Sequence, residues 1–201
     1  MAETAHINID EAVLVRQWQQ GDCDAMERLI VKYQNRIYNV ILKICANADD
    51  AAELTQETFV KLIENIDKFE GRSSFYTWAF RIAVNLTLNY CQRSVKLGFG
   101  SLDAESSGAN WEARQSLKGY LADEGSPDPA QIAENNELCQ IVLGALMRLD
   151  EGQRAVVVLR DIEGMNYAQI AKVLDIELGT VKSRLSRARS NLREILEAVS
   201  Q

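Results

Sequence analysis

The sequence predicts an all-α protein: two small helical domains joined by an acidic flexible linker. Three observations carry this expectation. Apolar residues recur at i, i+3, i+4 and i+7 through most of the chain. Only two prolines occur, Pro127 and Pro129, a rarity that suits uninterrupted helices. Between Ser94 and Pro129 the periodicity fails, and the stretch VKLGFGSLDAESSGANWEARQSLKGYLADEGSPDP is rich in Gly, Ser and acids. The expected domains are therefore residues 1–95, a linker over 96–129, and residues 130–201.

Each element follows from local pattern. Glu11 to Gln20 reads as a helix with Val13, Leu14 and Trp18 as its apolar contacts. Gly21-Asp22 is a turn, and Asp22 or Asp24 can cap the next helix, because a short acidic side chain accepts from the first free amides. That helix runs to about Cys45 on Met26, Leu29, Ile30, Tyr33, Ile37, Ile41 and Ile44. Asp49-Asp50 is expected to cap a third, Ala51 to about Asp67, with Leu54, Phe59, Leu62, Ile63 and Ile66 inward. Ser73 or Ser74 caps a fourth, reaching roughly Arg93. In the second domain Ile132 to Met147 reads as a helix. Asp150 with Gln153 has the capping-box pattern for the next, which Gly164 ends.

The chain of 201 residues carries a net charge of -7 with 47% hydrophobic residues. That acidity argues against a protein that simply coats nucleic acid. The charge is uneven: the middle, 96–137, is the most acidic part, and 138–201 is slightly basic. No run is long enough to span a bilayer, and MAETAHINIDEAV lacks the basic start and apolar core of a signal peptide, so a cytoplasmic protein is expected. The cysteines, Cys23, Cys45, Cys91 and Cys139, include no CxxC, and His6 is the only histidine. No metal site or cofactor is expected, and the thiols read as reduced residues in or near helix cores. With no nucleotide-binding glycine loop and no HExxH, an enzyme is the least favoured class, and no catalytic residue is assigned.

The most informative stretch is Asn166 to Arg193, NYAQIAKVLDIELGTVKSRLSRARSNLR. Tyr167, Ile170, Ala171 and Leu174 make one apolar face of a short helix. Asp175-Ile176-Glu177 breaks it, and Gly179 offers a permissive backbone for the turn. A second helix beginning near Thr180 carries Lys182, Arg184, Arg187, Arg189 and Arg193, while Val181, Leu185, Ala188, Leu192 and Ile195 keep an apolar face. A basic helix face is usually just a solvated face. Preceded by a short helix and a tight turn, this one has the form of a helix-turn-helix, whose second helix can meet phosphates and base edges in a major groove.

A second informative stretch is Phe69-Glu-Gly-Arg-Ser-Ser-Phe75-Tyr76-Thr-Trp78-Ala-Phe80-Arg81-Ile-Ala-Val-Asn85, with five aromatics within 12 residues. Aromatics beside arginines can stack unpaired bases, since every base has a π-face. They can equally be core. The residues alone leave both readings open.

Two blocks resemble a known family. DDAAELTQETFVKLIENIDKFEGRSSFYTWAFRIAVNLTLNY is similar to the second conserved domain of bacterial sigma factors, and LDEGQRAVVVLRDIEGMNYAQIAKVLDIELGTVKSRLSRAR to their fourth. With no third domain between, the chain resembles the extracytoplasmic-function (ECF) class. The resemblance implies an initiation factor that binds core RNA polymerase at its clamp coiled coil and flap, recognises promoter DNA and opens it, as in transcriptional stress responses. An anti-sigma factor is a further candidate partner. It implies that Asp50, Glu53, Leu54, Gln56, Glu57 and Phe59 meet the polymerase clamp, with Leu54 and Phe59 as anchors. It implies that Phe69, Gly71, Arg72, Ser73, Ser74 and Phe75 capture a flipped base of the minus-ten element. Tyr76, Trp78, Arg81 and Asn85 then line the strand-separating helix. Thr180, Lys182, Ser183, Ser186 and Arg187 would face the minus-thirty-five element, with Arg184 and Arg189 on phosphates. In the family the linker threads toward the polymerase active centre, where Asp103, Glu105, Glu112, Asp123 and Glu124 would mimic nucleic acid; the alternative is a passive tether.

The competing readings are a conventional repressor or activator with a similar helix-turn-helix, and a protein-binding module such as an anti-sigma factor or adaptor. The first would bind duplex DNA alone and need no aromatic loop. If Arg187 meets DNA, Arg187→Ala weakens duplex binding and lowers the slope of log affinity against log salt by about one. A salt titration that leaves the slope unchanged would count against that contact.

Overall fold

The computed structural model describes residues 3–96 and 141–199, with side chains over 11–93 and 141–198. The expected linker past Lys96, with its candidate acids, and Cys139 lie outside the described residues. Helix α1 spans Glu3–Gln19, α2 Cys23–Cys45, α3 Ala48–Asn65 and α4 Phe75–Lys96, with a 3-10 turn at Ile66–Lys68. After a helical stretch over 141–147, here α5, come α6 (Glu151–Val157), α7 (Tyr167–Leu174) and α8 (Leu178–Val199). Among the described residues there is no strand.

The caps explain most boundaries. The Asp22 carboxylate accepts from the Asp24 and Ala25 amides at 2.9 and 3.2 Å, fixing the start of α2. The expectation for α3 needs correction. Its cap is Asn47, whose Oδ1 accepts from the Asp49 and Asp50 amides, so the helix begins at Ala48 and Asp49-Asp50 occupy its first turn. There they face the positive end of the helix dipole. Ser74 caps α4, its Oγ accepting from the Thr77 amide at 3.2 Å. Asp150 caps α6 through the Gln153 amide, but Gln153 turns away and its amide oxygen accepts from Asn191 on α8. The complete capping box is at α7, where Asn166 and Gln169 serve each other's backbone amides.

The turn of the helix-turn-helix also differs from expectation. Asp175 adopts the left-handed conformation, φ 54°, that ends α7, while Gly179 lies inside the first turn of α8. An aspartate tolerates that region better than most side chains. Between α6 and Gly164 the helix widens into a π turn, Val158–Ile162, which periodicity does not reveal.

Helices α1–α4 form a first lobe around Leu29, Ile37, Ile41, Leu62, Phe80 and Val84. Helices α6–α8 form a second around Val156, Leu159, Met165, Ile170, Val173, Val181 and Leu185. The lobes touch: α4 packs on α7 and α6, and α2 packs on α6 and its π turn. The buried apolar cluster runs without a break through both.

One side chain stitches that contact from inside. Arg154 on α6 is only 8% exposed. Its Nε donates to the Leu146 carbonyl (3.1 Å), its Nη2 to the Met147 and Leu149 carbonyls (3.0 and 2.9 Å), and its Nη1 to the Ile44 carbonyl (2.5 Å). Leu146 and Met147 lie at the end of α5 and Ile44 at the end of α2, where the last carbonyls of a helix lack intrahelical donors. A guanidinium there answers those carbonyls and the negative ends of two helix dipoles.

The thiols divide. Cys91 is buried and Cys45 half-buried, as expected, but Cys23 is exposed and not part of a core. Burial pushes the Cys45 thiol up to about 12 and the Cys91 thiol up to about 11, which leaves both protonated near neutrality.

Arg154→Met keeps the length of the stem and removes every donor. It should lower stability by about 3 kcal/mol or more, since it strands several buried carbonyls, and depress Tm by roughly 6–12 °C. Thermal melting followed by circular dichroism checks this, and an unshifted midpoint would refute it.

Candidate nucleic-acid interface

The aromatic stretch resolves into two faces of α4 and a loop. Phe75 is 4% exposed and Phe80 fully buried. Phe75 sits in a ring cluster with Trp18, Tyr33, Phe69 and Trp78, at centroid separations of 5.7–6.2 Å. It was expected to contact a base, and here it is mainly core, presenting only part of its ring to the groove beside it.

That groove, about 590 Å³, lies between α1 and the loop that precedes α4. Phe69, Gly71, Ser73 and Ser74 line one side; Glu11, Val15, Arg16 and Gln19 line the other. The α1 residues were not foreseen, because nothing in their spacing distinguishes them from an ordinary helix face. Gln19 anchors the loop by donating from Nε2 to the Ile66 and Phe69 carbonyls, both at 2.9 Å. Gly71 stands at φ +71°, and a Cβ there would meet no neighbour, so its glycine serves the backbone turn rather than close packing. Arg72 stands well exposed and pairs with Glu70. Glu11 accepts from the Tyr33 hydroxyl at 2.6 Å, and burial with this carboxylate raises the Tyr33 pKa above its usual value.

On the outer face of α4, Trp78, Arg81 and Asn85 share a second concavity of about 300 Å³ with Lys61, Ile82 and Asn89. Helical spacing puts these α4 residues in one row. The Trp78 ring packs on Phe69 at 4.9 Å, joining the row to the loop. Tyr76 is not brought together with them. It turns toward the second lobe, where its hydroxyl donates to Glu163 Oε2 at 3.1 Å and its ring lies under the Arg36 guanidinium at 4.8 Å.

On α8, Val181, Leu185 and Ala188 are buried, and Thr180, Lys182, Ser183, Ser186 and Arg187 are exposed on the opposite side. The two arginines expected on phosphates differ from these. Arg184 is half-buried with its guanidinium beside Gly152 of α6. Arg189 is held by Asp161, with Nη2 donating to Oδ1 at 2.5 Å, and that bond raises its pKa. Arg189 is still half-exposed, so this pair holds the side chain in place more than it stabilises the fold.

Helix α3 requires the clearest correction. Leu54 is 5% exposed and belongs to the core, and Phe59 is half-buried against it, so neither stands out as an anchor for a partner. Glu53, Gln56 and Glu57 are exposed, and Asp50 is half-buried beside the Tyr90 hydroxyl. The exposed apolar residues on this helix are Val60 and Ile63. Ile63 was expected inward and is another correction: Leu54, Thr58 and Leu62 mark the inward row, which leaves Gln56, Val60 and Ile63 on the other side.

These features meet in known proteins. Residues 29–96 match the family model Sigma-70 region 2, and residues 139–192 match Sigma-70, region 4. The chain is 34% identical over 185 residues to the ECF RNA polymerase sigma-E factors of Salmonella typhimurium and Escherichia coli K12, covering 90% of this chain and 91% of each relative. The chain belongs to the ECF sigma factors. The Haemophilus influenzae sigma-E factor is 32% identical across 94% of the chain and 96% of its own length. The fold agrees with that of CnrH, solved in complex with the cytosolic domain of CnrY (TM-score 0.64, 23% identity, 94% of this chain and 98% of that one). It also agrees with the sigma factor RpoE of Bartonella quintana, solved with the anti-sigma factor NepR (TM-score 0.59, 24% identity, 85% and 96%). As an ECF sigma factor the chain binds core RNA polymerase, recognises promoter DNA and is no enzyme. The two matched regions fall one in each helical lobe, on either side of the segment expected to be a linker.

Proposed function

We propose that the first lobe docks on the polymerase through α3 and receives a melted promoter strand at α4, while α8 reads duplex DNA upstream. The observation that carries this reading is the continuity of the loop groove with the outer row of α4. Phe69 lines the groove and touches Trp78, and Trp78 opens the row that Arg81 and Asn85 continue. A flipped base would enter the groove among Phe69, Gly71, Ser73 and Ser74. The next nucleotides would run along Trp78, Arg81 and Asn85, with stacking, cationic and amide contacts in sequence. Strand opening then needs no hydrolysis, because binding the unstacked bases offsets a stacking loss of a few kcal/mol per step.

At the duplex end, Thr180, Lys182, Ser183, Ser186 and Arg187 reach the major groove of the minus-thirty-five element, with Arg184 and Arg189 at its phosphate rim. On α3 the polymerase contact is the acidic and amide face of Asp50, Glu53, Gln56 and Glu57, with Val60 and Ile63 replacing Leu54 and Phe59 as the apolar contact. An anti-sigma factor is a proposed inhibitor, since both fold neighbours were solved with a protein bound. The site of action is the cytoplasm, where template and polymerase reside. Among the described residues no helix is long and apolar enough to cross a membrane.

Run-off transcription with purified core enzyme on a genomic fragment library tests the whole reading: discrete start points should appear only when the chain is added. Binding of DNA without core enzyme and no start point with it would favour a conventional repressor or activator. The α3 assignment has its own test. Val60→Asp should cut affinity for core polymerase about tenfold or more, the scale of an interface anchor, with Tm unchanged. Leu54→Ala should instead lower stability by about 2–5 kcal/mol. A polymerase affinity indifferent to Val60→Asp removes that face from the interface.

A further inference from the structure

The wall that α1 gives to the loop groove is chemically one-sided. Glu11, Val15 and Gln19 follow one another at i, i+4 and i+8 and line that wall. Glu11 is an acid only 6% exposed, so it is set into the wall and does not stand on its rim. Its Oε1 accepts from the Tyr33 hydroxyl at 2.6 Å. Burial and that bond push the Tyr33 pKa upward, so the hydroxyl stays protonated and goes on donating. A carboxylate offers about four lone-pair sites, and Tyr33 fills one. Among the described residues, Oε2 has only the Lys32 ammonium beside it, at 4.0 Å, beyond hydrogen-bond reach.

The neighbours of Glu11 add to the same character. Gln19 gives its amide nitrogen to the Ile66 and Phe69 carbonyls, which leaves its carbonyl oxygen as what it can still offer. Across the groove the serine hydroxyls are engaged within the loop: Ser73 donates to the Ser74 carbonyl, and Ser74 Oγ accepts from the Thr77 amide. The inner wall therefore presents acceptors. Arg16, exposed on the same helix, is placed to meet a strand phosphate that the Glu11 charge would otherwise repel.

An acceptor wall reads donors on a base. Cytosine, adenine and guanine each carry an exocyclic amine. Thymine has none, and its single N3–H lies between two carbonyl oxygens that a carboxylate repels. We propose that Glu11 makes the loop groove selective for a flipped base bearing an exocyclic amine and excludes thymine, with Tyr33 as the positioning residue that aims the carboxylate. The amine donates to Oε2 while Tyr33 keeps Oε1. Phe69 supplies stacking that every base can use, so it gives affinity without choice. Glu11 supplies the choice, because a buried acceptor that the wrong base leaves unpaired discriminates far more than apolar shape does. The proposal rests on the reading of this groove as the seat of a flipped base.

The test uses holoenzyme assembled from the full chain and core polymerase, on a promoter recovered by run-off transcription. Each non-template position of the minus-ten element is made abasic in turn, and open-complex formation identifies the positions whose bases are bound. At one of these, the wild type should favour cytosine or adenine over thymine about fivefold or more. Deleting the amine alone, with pyrimidin-2-one for cytosine or purine for adenine, should lose as much. Glu11→Gln still accepts from Tyr33 and adds a donor that thymine O4 can accept, so the preference should shrink to about twofold or less, with affinity for core polymerase unchanged. If no sensitive position shows the amine preference, or if the preference survives Glu11→Gln, the role of Glu11 is overturned and the groove reading stands. If removing a base matters at no position, no flipped base is held and both fall. Should circular dichroism show that Glu11→Gln does not fold, the amine-deleted bases decide with the wild type alone: open complexes that form equally well without the amine refute the proposal.

Discussion

The guanidinium of Arg154 is the constraint on which the arrangement of the two lobes depends. Helices α2 and α5 end near the Arg154 guanidinium of the second lobe, and each end carries carbonyls that no helix amide can reach. Brought together in a dry contact, those carbonyls would repel and would each cost the price of an unmade hydrogen bond. A single planar cation with donors on three nitrogens answers three of them at once, Ile44, Leu146 and Met147, and the Leu149 carbonyl in the turn beyond α5 as well. Lysine could not, since its donors radiate from one atom. The apolar packing between the lobes is possible because this polar problem is solved inside it.

Helix α4 shows how one sequence serves two masters. Its inward row, Phe75, Ala79, Phe80, Ala83 and Val84, is core. Two flanks remain. One carries Trp78, Arg81 and Asn85 beside the loop groove, with Arg81 also paired to Asp175 of the second lobe. The other carries Tyr76 and meets the second lobe through Glu163. The same helix therefore carries both the proposed surface for a strand and a seat for the second lobe, on neighbouring residues of one rigid element.

Much of this was legible in the sequence, and the misses have definite causes. Helical class, the order of elements and the exposed row on α8 follow from a period of 3.6 read against charge. The division of α4 could be suspected, because five aromatics cannot share one face, but which rings are core depends on partners contributed by α1 and α2. Leu54 and Phe59 carried two readings, inward by spacing and partner anchors by resemblance; the spacing was the better guide for both, although it also placed Ile63 inward, and Ile63 stands exposed. Asn47 was overlooked as a cap because two aspartates followed it. The π turn, the bonds of Arg154 and the role of Glu163 had no local signal. Each depends on residues more than a hundred positions away or on a backbone irregularity, and a charged residue in an apolar run looks the same whether it faces water or a helix end.

The distribution of charge bears on why such a factor works through a larger partner. The chain is acidic overall, and the second lobe engages part of its own cationic charge: Arg189 with Asp161 and Arg154 with carbonyls. The exposed cations of α8 that remain oriented outward are few, chiefly Lys182, Arg187 and Arg193. A handful of phosphate contacts gives an affinity that physiological salt largely erases, and the negative field of the rest of the molecule lowers it further. That weakness is useful. A free factor with strong DNA affinity would be scattered over nonspecific sites. One whose lobes each bind weakly gains its grip only when a polymerase fixes them at the promoter spacing, because the second contact then becomes intramolecular and its effective concentration is high. Selectivity for promoters thus arises from geometry imposed by the host and from two modest contacts, neither of which needs to be tight.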